Sequence, residues 1–472
     1  MNRSLRTLLL AAAIVDSGGV KAETIERALA RAYENSPQLN AERAAVRQAD
    51  EGVAQALSGY RPSINATALI GKQYTDTTVV VPQPNQAGVN TGSSTTNPTA
   101  TLRGQTTPRG AQLNLSQTLF DGFQTTNKTR AAEMQVSSAR ESMRVVEQSV
   151  LLSAAAAYMD ILRDAATVEV QESNVRVLER TLKDARGRFR AGDITHTQVW
   201  QVEAQLAASE ATLHVARATL MATKANYRRV IGIDPEGLSP SSTVDRFLPP
   251  TLIAALEQSL LRNPMISAAA SGVDVALLQV KIAEGGLYPT ITLQGNVQRV
   301  DDQNILTPKL LSGSAAVAFT VPIYQGGREY SAIRQKKEAT DQQRFTLDQV
   351  RDQVRANVVQ FWGQLDATRS RTEASERQVR AAESALNGVR GEARAGAATT
   401  LDVLNAQQSL VNARVSLVSA QHDRVVVSYN LLAAVGLLSP TVLDLPVTIY
   451  DPTVHYHQVR DSWFGLRTPA GR

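Results

Sequence analysis

The side chains in this chain that are able to do chemistry are few and scattered. Five histidines and no cysteine occur in 472 residues, which removes thiolate metal sites, disulfides and cysteine nucleophiles. His455 and His457 alternate and could share a metal ion, although no acidic or cysteine pattern beside them completes a ligand set. The same spacing also reads as a solvated pair on the tail. Asp301 and Asp302 have two readings as well, a cation held in a loop or a solvated turn. His196, His214 and His422 stand apart. No Ser/His/Asp order and no Walker-type phosphate loop appears. We therefore assign no catalytic residue, no metal site and no cofactor. The chain is not expected to be an enzyme, and any work it does must draw its energy from a partner.

Composition points the same way. Aromatic residues are 5% of the chain and apolar residues 43%, with alanine abundant, which suits closely spaced helices. A net charge of +5, with no basic patch among aromatics, argues against nucleic acid. Residues 1–22 carry Arg3 and Arg6 before the apolar run from Thr7 to Val15 and end in Val20-Lys21-Ala22. They read as a secretory signal peptide. Beyond them no uninterrupted run of 18 apolar residues exists, so no membrane-spanning helix is expected.

The elements that must position any site come in duplicate. Arg190-Ala191-Gly192 recurs as Arg394-Ala395-Gly396, 204 positions on, and that offset also aligns Gly122 with Gly326, Gly187 with Gly391, Thr195 with Thr399 and Gly232 with Gly436. Leu29, Pro37 and Pro62 match Leu256, Pro264 and Pro289 at an offset of 227, so the first copy holds 23 extra residues between Pro62 and Phe120. Two repeats follow, 23–236 and 237–440, with a tail over 441–472 that is expected to lie at the middle of the molecule, away from the strands.

Each repeat opens with a short helix and a proline-started second helix, Pro37 being preceded by Ser36 and Pro264 by Asn263. Two alternating segments come next, 62–70 and 111–120 in the first repeat and 289–297 and 314–324 in the second. Polar loops over 71–110 and 298–313 separate them. Period-two alternation gives each strand one dry and one wet face. Long helices over 123–189 and 327–393 lead to corners at 190–196 and 394–399. Returning helices over 197–231 and 400–436 complete the repeats. A seam at 3–4 spacing runs through Val175, Leu178, Leu182, Ala185 and Phe189, and through Val199, Val202, Leu206 and Ser209, which is coiled-coil spacing. Four amphipathic strands cannot close a membrane barrel, which needs about eight, so several chains would have to share one. Tyr60, Phe120, Phe123, Tyr288 and Tyr324 fall where strands meet helices, as an interfacial aromatic belt would.

This duplicated order resembles the TolC-type outer-membrane efflux proteins. The matching residues are Tyr60-Arg61-Pro62 and Leu287-Tyr288-Pro289 entering strands, and Leu119-Phe120-Asp121-Gly122 and Ile323-Tyr324-Gln325-Gly326-Gly327 leaving them. Ala395-Gly396 with Thr399 and Asp402-Val403-Leu404 forms the second corner. The resemblance implies an α+β membrane protein in which a coiled-coil α-helical tunnel continues into a β-barrel, four strands per chain, closed as a homotrimer. It further implies a place in the outer membrane of a Gram-negative bacterium with a large periplasmic part. There the trimer would be a passive exit duct for multidrug efflux or type I secretion, joined to an inner-membrane pump through a periplasmic adaptor.

The resemblance also assigns roles. Asp402 and Asn405 would line the periplasmic constriction, and the corner residues Ala191, Gly192, Asp193, Thr195, Ala395, Gly396, Ala397 and Thr399 would receive the adaptor. The family's closing bonds join a tyrosine and an arginine to an aspartate, but the matching positions here are Ala393, Ala398 and Gln198, so those bonds do not carry over. From the residues alone, Asp402 also reads as a first-turn carboxylate complementing its helix dipole, and the glycines as turn residues. A soluble periplasmic coiled-coil adaptor or scaffold is the alternative reading of the whole chain.

Overall fold

The computed structural model describes residues 23–80, 99–240 and 243–469; the expected signal peptide lies outside them. In chain order the elements are α1 (Ile25–Asn35), α2 (Pro37–Leu57), β1 (Ser63–Ile70), β2 (Gln73–Val80), β3 (Thr99–Thr106), β4 (Arg109–Phe120), α3 (Gln124–Arg190) and α4 (His196–Ile231). They continue as α5 (Leu252–Arg262), α6 (Pro264–Gly285), β5 (Thr290–Asn304), β6 (Thr307–Thr320), α7 (Arg328–Arg394), α8 (Thr400–Val435) and α9 (Thr453–Val459). Both α3 and α7 have 67 residues, and both α4 and α8 have 36. Among the described residues, two compact units arise, and each draws on both repeats: 23–45, 140–240, 243–268 and 348–451 form one, and 46–80, 99–139, 269–347 and 452–469 the other.

The first unit is helical. Its centre buries Leu29, Tyr33, Leu151, Tyr158, Tyr227, Ile231, Leu431 and Leu432 almost completely. The Tyr158 hydroxyl reaches the carbonyls of Glu23 (2.8 Å) and Ser239 (2.6 Å), which ties α3 to the segments flanking α1 and following α4. Asn263 ends α5 and starts α6: its Oδ1 accepts from the Met265 N–H (2.9 Å), and its Nδ2 donates to the Ala434 carbonyl (2.8 Å). By length and composition, Gln124–Arg190 and Leu252–Gly285 are apolar enough to cross a membrane, which the search for uninterrupted apolar runs did not anticipate. Half of the window in α3 is buried within the chain, and the second stretch is broken between α5 and α6.

His422 on α8, which looked isolated in the sequence, joins the helices by charge. Its Nε2 faces Asp160 of α3 and its Nδ1 faces Asp423, each at 3.0 Å. Asp160 is held in turn by Arg163 (2.9 Å) and Asp423 by Arg371 of α7 (3.0 Å). Burial opposes the imidazolium, but hydrogen bonds to Asp160 and Asp423 outweigh it and raise the His422 pKa.

The second unit carries a four-stranded antiparallel sheet in the order β1-β4-β5-β6 and a separate β2-β3 hairpin. Register places Ile64 beside Leu115, Ala66 beside Leu113, Leu113 beside Val297, and Leu293 beside Val317. One face is therefore apolar. The other carries Asn114, Asn296 and Gln112, with Asn296 and Gln112 both donating to Asn114 at 2.7 Å.

Two expected loops are largely strand. Gln73–Val80 and Thr99–Thr106 pair along their whole length, because their Thr and Val residues favour a pleated backbone even where the composition is polar. Residues 298–303 and 307–313 continue β5 and β6 to a tight turn, where Asn304 Oδ1 accepts from the N–H groups of Leu306 and Thr307. Conversely, β6 stops at Thr320 rather than reaching Tyr324, since Pro322 has no N–H for a ladder. The tail also departs from expectation. Arg61, at the entry to β1, donates to the Ser462 carbonyl (2.6 Å) and lies 4.8 Å over the Trp463 ring. Ser462 and Trp463 therefore sit beside the strand entry, while His455 and Tyr456 contact Asp50 of α2 and Glu133 of α3.

Two measurements test these packing arguments. Gly232 and Gly436 are equivalent C-caps in the left-handed region (φ 94° and 86°), but a Cβ at Gly436 would lie 2.6 Å from the Arg262 carbonyl, whereas at Gly232 the nearest atom is 3.9 Å away. Gly232→Ala should cost about 1–2 kcal/mol from backbone strain alone, and Gly436→Ala clearly more; equal losses in thermal melts would discredit the clash. Because its folded pKa is raised, the contribution of His422 is complete below the ordinary histidine value and is lost as pH rises through the raised one. The melting temperature should decline as pH rises above about 6.5, and His422→Gln should flatten that decline.

Candidate pore entrance at the helical corners

Both corners are built by the same backbone device. In the first, Gly192 (φ 86°) donates its N–H to the Phe189 carbonyl and the Asp193 N–H bonds to Arg188, both at 2.9 Å. In the second, Gly396 (φ 80°) bonds to Ala393 at 3.3 Å and Ala397 to Glu392 at 2.8 Å. This is a Schellman ending, which takes glycine because the residue after the helix is left-handed. Nothing lies within 4 Å of a Cβ at either glycine. Ala191, Gly192, Asp193, Thr195, Ala395, Gly396, Ala397 and Thr399 are all exposed.

The copies differ at the helix start. Thr399 and Asp402 form a capping box: the Thr399 N–H and hydroxyl donate to Asp402 Oδ2 (2.8 and 2.6 Å), and the Asp402 N–H donates back to Thr399 Oγ1 (3.2 Å). The Thr399 hydroxyl, then its backbone N–H, hold the Asp402 carboxyl below its ordinary value. Thr195 makes no such side-chain cap, and Gln198 stands where the second copy has Asp402. The Gln198 amide oxygen is enclosed, with no hydrogen-bond partner among the described residues. Asp402 and Asn405 are both exposed, while Leu404 between them is buried. Ala393 and Ala398 are half-buried methyl groups with nothing to lock.

What joins the two hairpins is a set of residues that sequence reasoning did not single out. Arg390 of α7 donates to Gln407 Oε1 (3.0 Å), Gln407 donates to Asn174 Oδ1 on α3 (3.2 Å), and Asn174 donates to Ser209 on α4 (3.2 Å). Gln205 of α4 also donates to Gln408 of α8 at 2.9 Å. One link was visible in advance: Ser209 interrupts an otherwise apolar seam, the mark of a buried polar layer. Leu404 adds the apolar part, in one cluster with Leu178, Leu182, Ala185, Val199 and Val202.

The remaining candidates belong to the sheet unit. Asp121 Oδ2 accepts from the N–H and hydroxyl of Thr125 (2.7 and 2.6 Å), starting α3. Gly122 (φ 65°) packs so closely that a side chain would collide with the Gly285 carbonyl. Phe120 and Phe123 stack edge to face at 5.3 Å, and Tyr60 hydrogen-bonds Thr126 at 2.9 Å. Phe123, Tyr288 and Tyr324 are exposed. The two candidate cation sites do not assemble. His455 Nδ1 is 3.0 Å from the buried Asp50, whereas His457 is exposed and stacks on Tyr456 at 5.4 Å. Asp302 Oδ2 accepts from the Thr107 N–H (2.6 Å) at a strand irregularity, so it is no loop residue.

Residues 28–232 and 255–437 match the family model for outer membrane efflux proteins. The chain belongs to that family. It is 40% identical over 473 residues to the outer membrane efflux protein BepC of Brucella suis, covering 98% of each chain. It is 25% identical to the outer membrane protein TolC of Vibrio cholerae, over 93% of this chain and 96% of the other. The fold matches the crystal structure of VceC from Vibrio cholerae with a TM-score of 0.70, covering 87% of this chain and 96% of that one at 21% identity. As a member of this outer-membrane family of channels, the protein is not the soluble scaffold that its coiled coils alone would have allowed.

The buried bridge between hairpins has a measurable consequence. Gln407→Leu strands Arg390 and the buried Asn174 without their shared partner, at a cost of about 1–3 kcal/mol. Adding Asn174→Leu should recover part of that loss, because an apolar pair needs no partner. A double variant as unstable as the sum of its singles would deny the bridge.

Proposed function

We propose that three copies of this efflux protein close one twelve-stranded barrel and form a passive exit duct through the outer membrane. The observation that carries the reading is the sheet. Its apolar face leaves Ile64, Leu113, Val297, Val317 and Phe319 between 48% and 64% exposed. Strands β1 and β6 each have a ladder partner on one side only. In hydrocarbon an open edge is not tolerated, and β4, β5 and β6, at 12, 15 and 14 residues, are long enough to span it. Other copies satisfy both edges at once. The polar Asn114 and Asn296 face then lines the lumen.

At the corner end, Asp402 forms a ring of three carboxylates with Asn405 one turn further in. Each carboxylate is ionised at neutral pH, so the ring favours cations and resists anions. The Arg390–Gln407–Asn174–Ser209 bridge takes the place of the family's closing bonds. The exposed corners receive a periplasmic adaptor that couples the duct to an inner-membrane pump, for efflux as in BepC or for type I secretion.

Purified protein in planar bilayers should show discrete conductance. Asp402→Ala should raise the trivalent-cation concentration for half-block by roughly tenfold or more. Block unchanged by that variant would remove Asp402 from the constriction, and no conductance at all would remove the duct.

A further inference from the structure

Trp200 stands 59% exposed on α4. It ends a stack in which the His196 ring lies 4.3 Å from Trp200 and 4.8 Å from Phe189. The second repeat has no such stack, since the equivalent positions are Ala393, Thr400 and Leu404. The fates of Trp200 and Leu404 differ sharply. Leu404 is only 5% exposed, because it leaves its own hairpin and enters the α3–α4 seam beside Leu178 and Leu182. One repeat thus supplies a seated knob, while the same position in the other repeat is an unseated one.

The hole recurs too. At the repeat offset, Leu178, Leu182 and Ala185 become Ala382, Leu386 and Val389 on α7; Leu386 is already covered by its own chain and forms the floor, while Ala382 and Val389 stay half-exposed. Trp200 does not occupy that hole within its own chain, as its exposure shows. We infer that Trp200 is an intermolecular knob, seated against Ala382, Leu386 and Val389 of a second copy of this chain, so that it repeats between copies the contact that Leu404 makes within one. The inference rests on the trimer reading above and names the side chains that hold the copies together at the corner end.

Three observations favour a second copy over any other occupant. The interface already exists once, between α4 and α8 of a single chain, and a closed ring of alternating quasi-equivalent hairpins must use it again. Sizes compensate: the larger Trp200 meets Ala382 where the smaller Leu404 meets Leu178, as close packing requires. The polar neighbours also correspond. Arg186 holds Glu203 at 2.6 Å as Arg390 holds Gln407 at 3.0 Å. Gln407 goes on to Asn174, whose equivalent is the exposed Gln378, flanked in sequence by Arg377 and Arg380. Glu203 therefore has a donor to meet across the new contact.

The absence of cysteine makes the test direct. Trp200→Cys is combined with Ala382→Cys, and as a control Leu404→Cys with Leu178→Cys, in the full-length detergent-extracted protein. After oxidation, the first pair should run as covalent multimers on denaturing gels, and the control should run as a monomer with its thiols consumed. Trimer formation is measured separately by native mass. If the trimer is intact and the control closes, but the first pair stays monomeric, the inference is overturned while the duct reading stands. Absence of any trimer overturns both. A Trp200→Cys trimer whose thiol reacts with maleimide as fast as in the denatured chain also overturns the inference, and would leave that face for an adaptor.

Discussion

An unpaired strand edge in hydrocarbon leaves a row of N–H and C=O groups that water cannot reach, each costing several kcal/mol. The β1-β4-β5-β6 sheet has two such edges and an apolar face that the rest of its own unit does not cover. Much else follows from that constraint. In the assembly we propose, other copies pair both edges, and Asp402, otherwise a first-turn carboxylate, is repeated around their shared axis.

Duplication supplies the second half of the logic. A chain with two similar hairpins can treat contacts within itself and contacts between copies as the same contact used twice. The structure shows the within-chain version in full: Leu404 in its hole, Gln407 reaching Asn174, and Gln205 meeting Gln408. Polar layers of this kind cost stability relative to an apolar seam, but they fix register. Register is what keeps the helix ends level with one another, since a slip by one turn would move Asp402 by about 5.4 Å.

The repeat and the long helices were legible in the sequence because glycine and proline hold their spacing and apolar residues keep a 3–4 seam. The strands were legible only where apolar residues alternate. From Gln298 to Asp302 and from Gln73 to Val80 the chain remains strand, but its polar side chains hide the period, and only backbone pairing reveals it. Contacts distant in sequence stayed invisible. Arg61 and Ser462 are 401 residues apart, and Asn174 and Gln407 are 233 apart. No local pattern announces such pairs, although Ser209 in the seam marked where one of them had to be. His455 shows the converse. Its spacing to His457 suggested a shared ligand, whereas its actual partner is Asp50, an acid buried far up the chain.

The two repeats have diverged at the positions that face different neighbours and kept those that make the turn. Gly192 and Gly396 are both left-handed, and Thr195 and Thr399 both precede the returning helix. Against that constant frame, Gln198 faces Asp402, Glu203 faces Gln407, and Trp200 faces Leu404 in the alignment. The repeats differ along most of their length, and the turn itself is among the parts they share. Asn174, Gln407 and Arg390 join the two hairpins, whereas Ala393 and Ala398 carry only methyl groups.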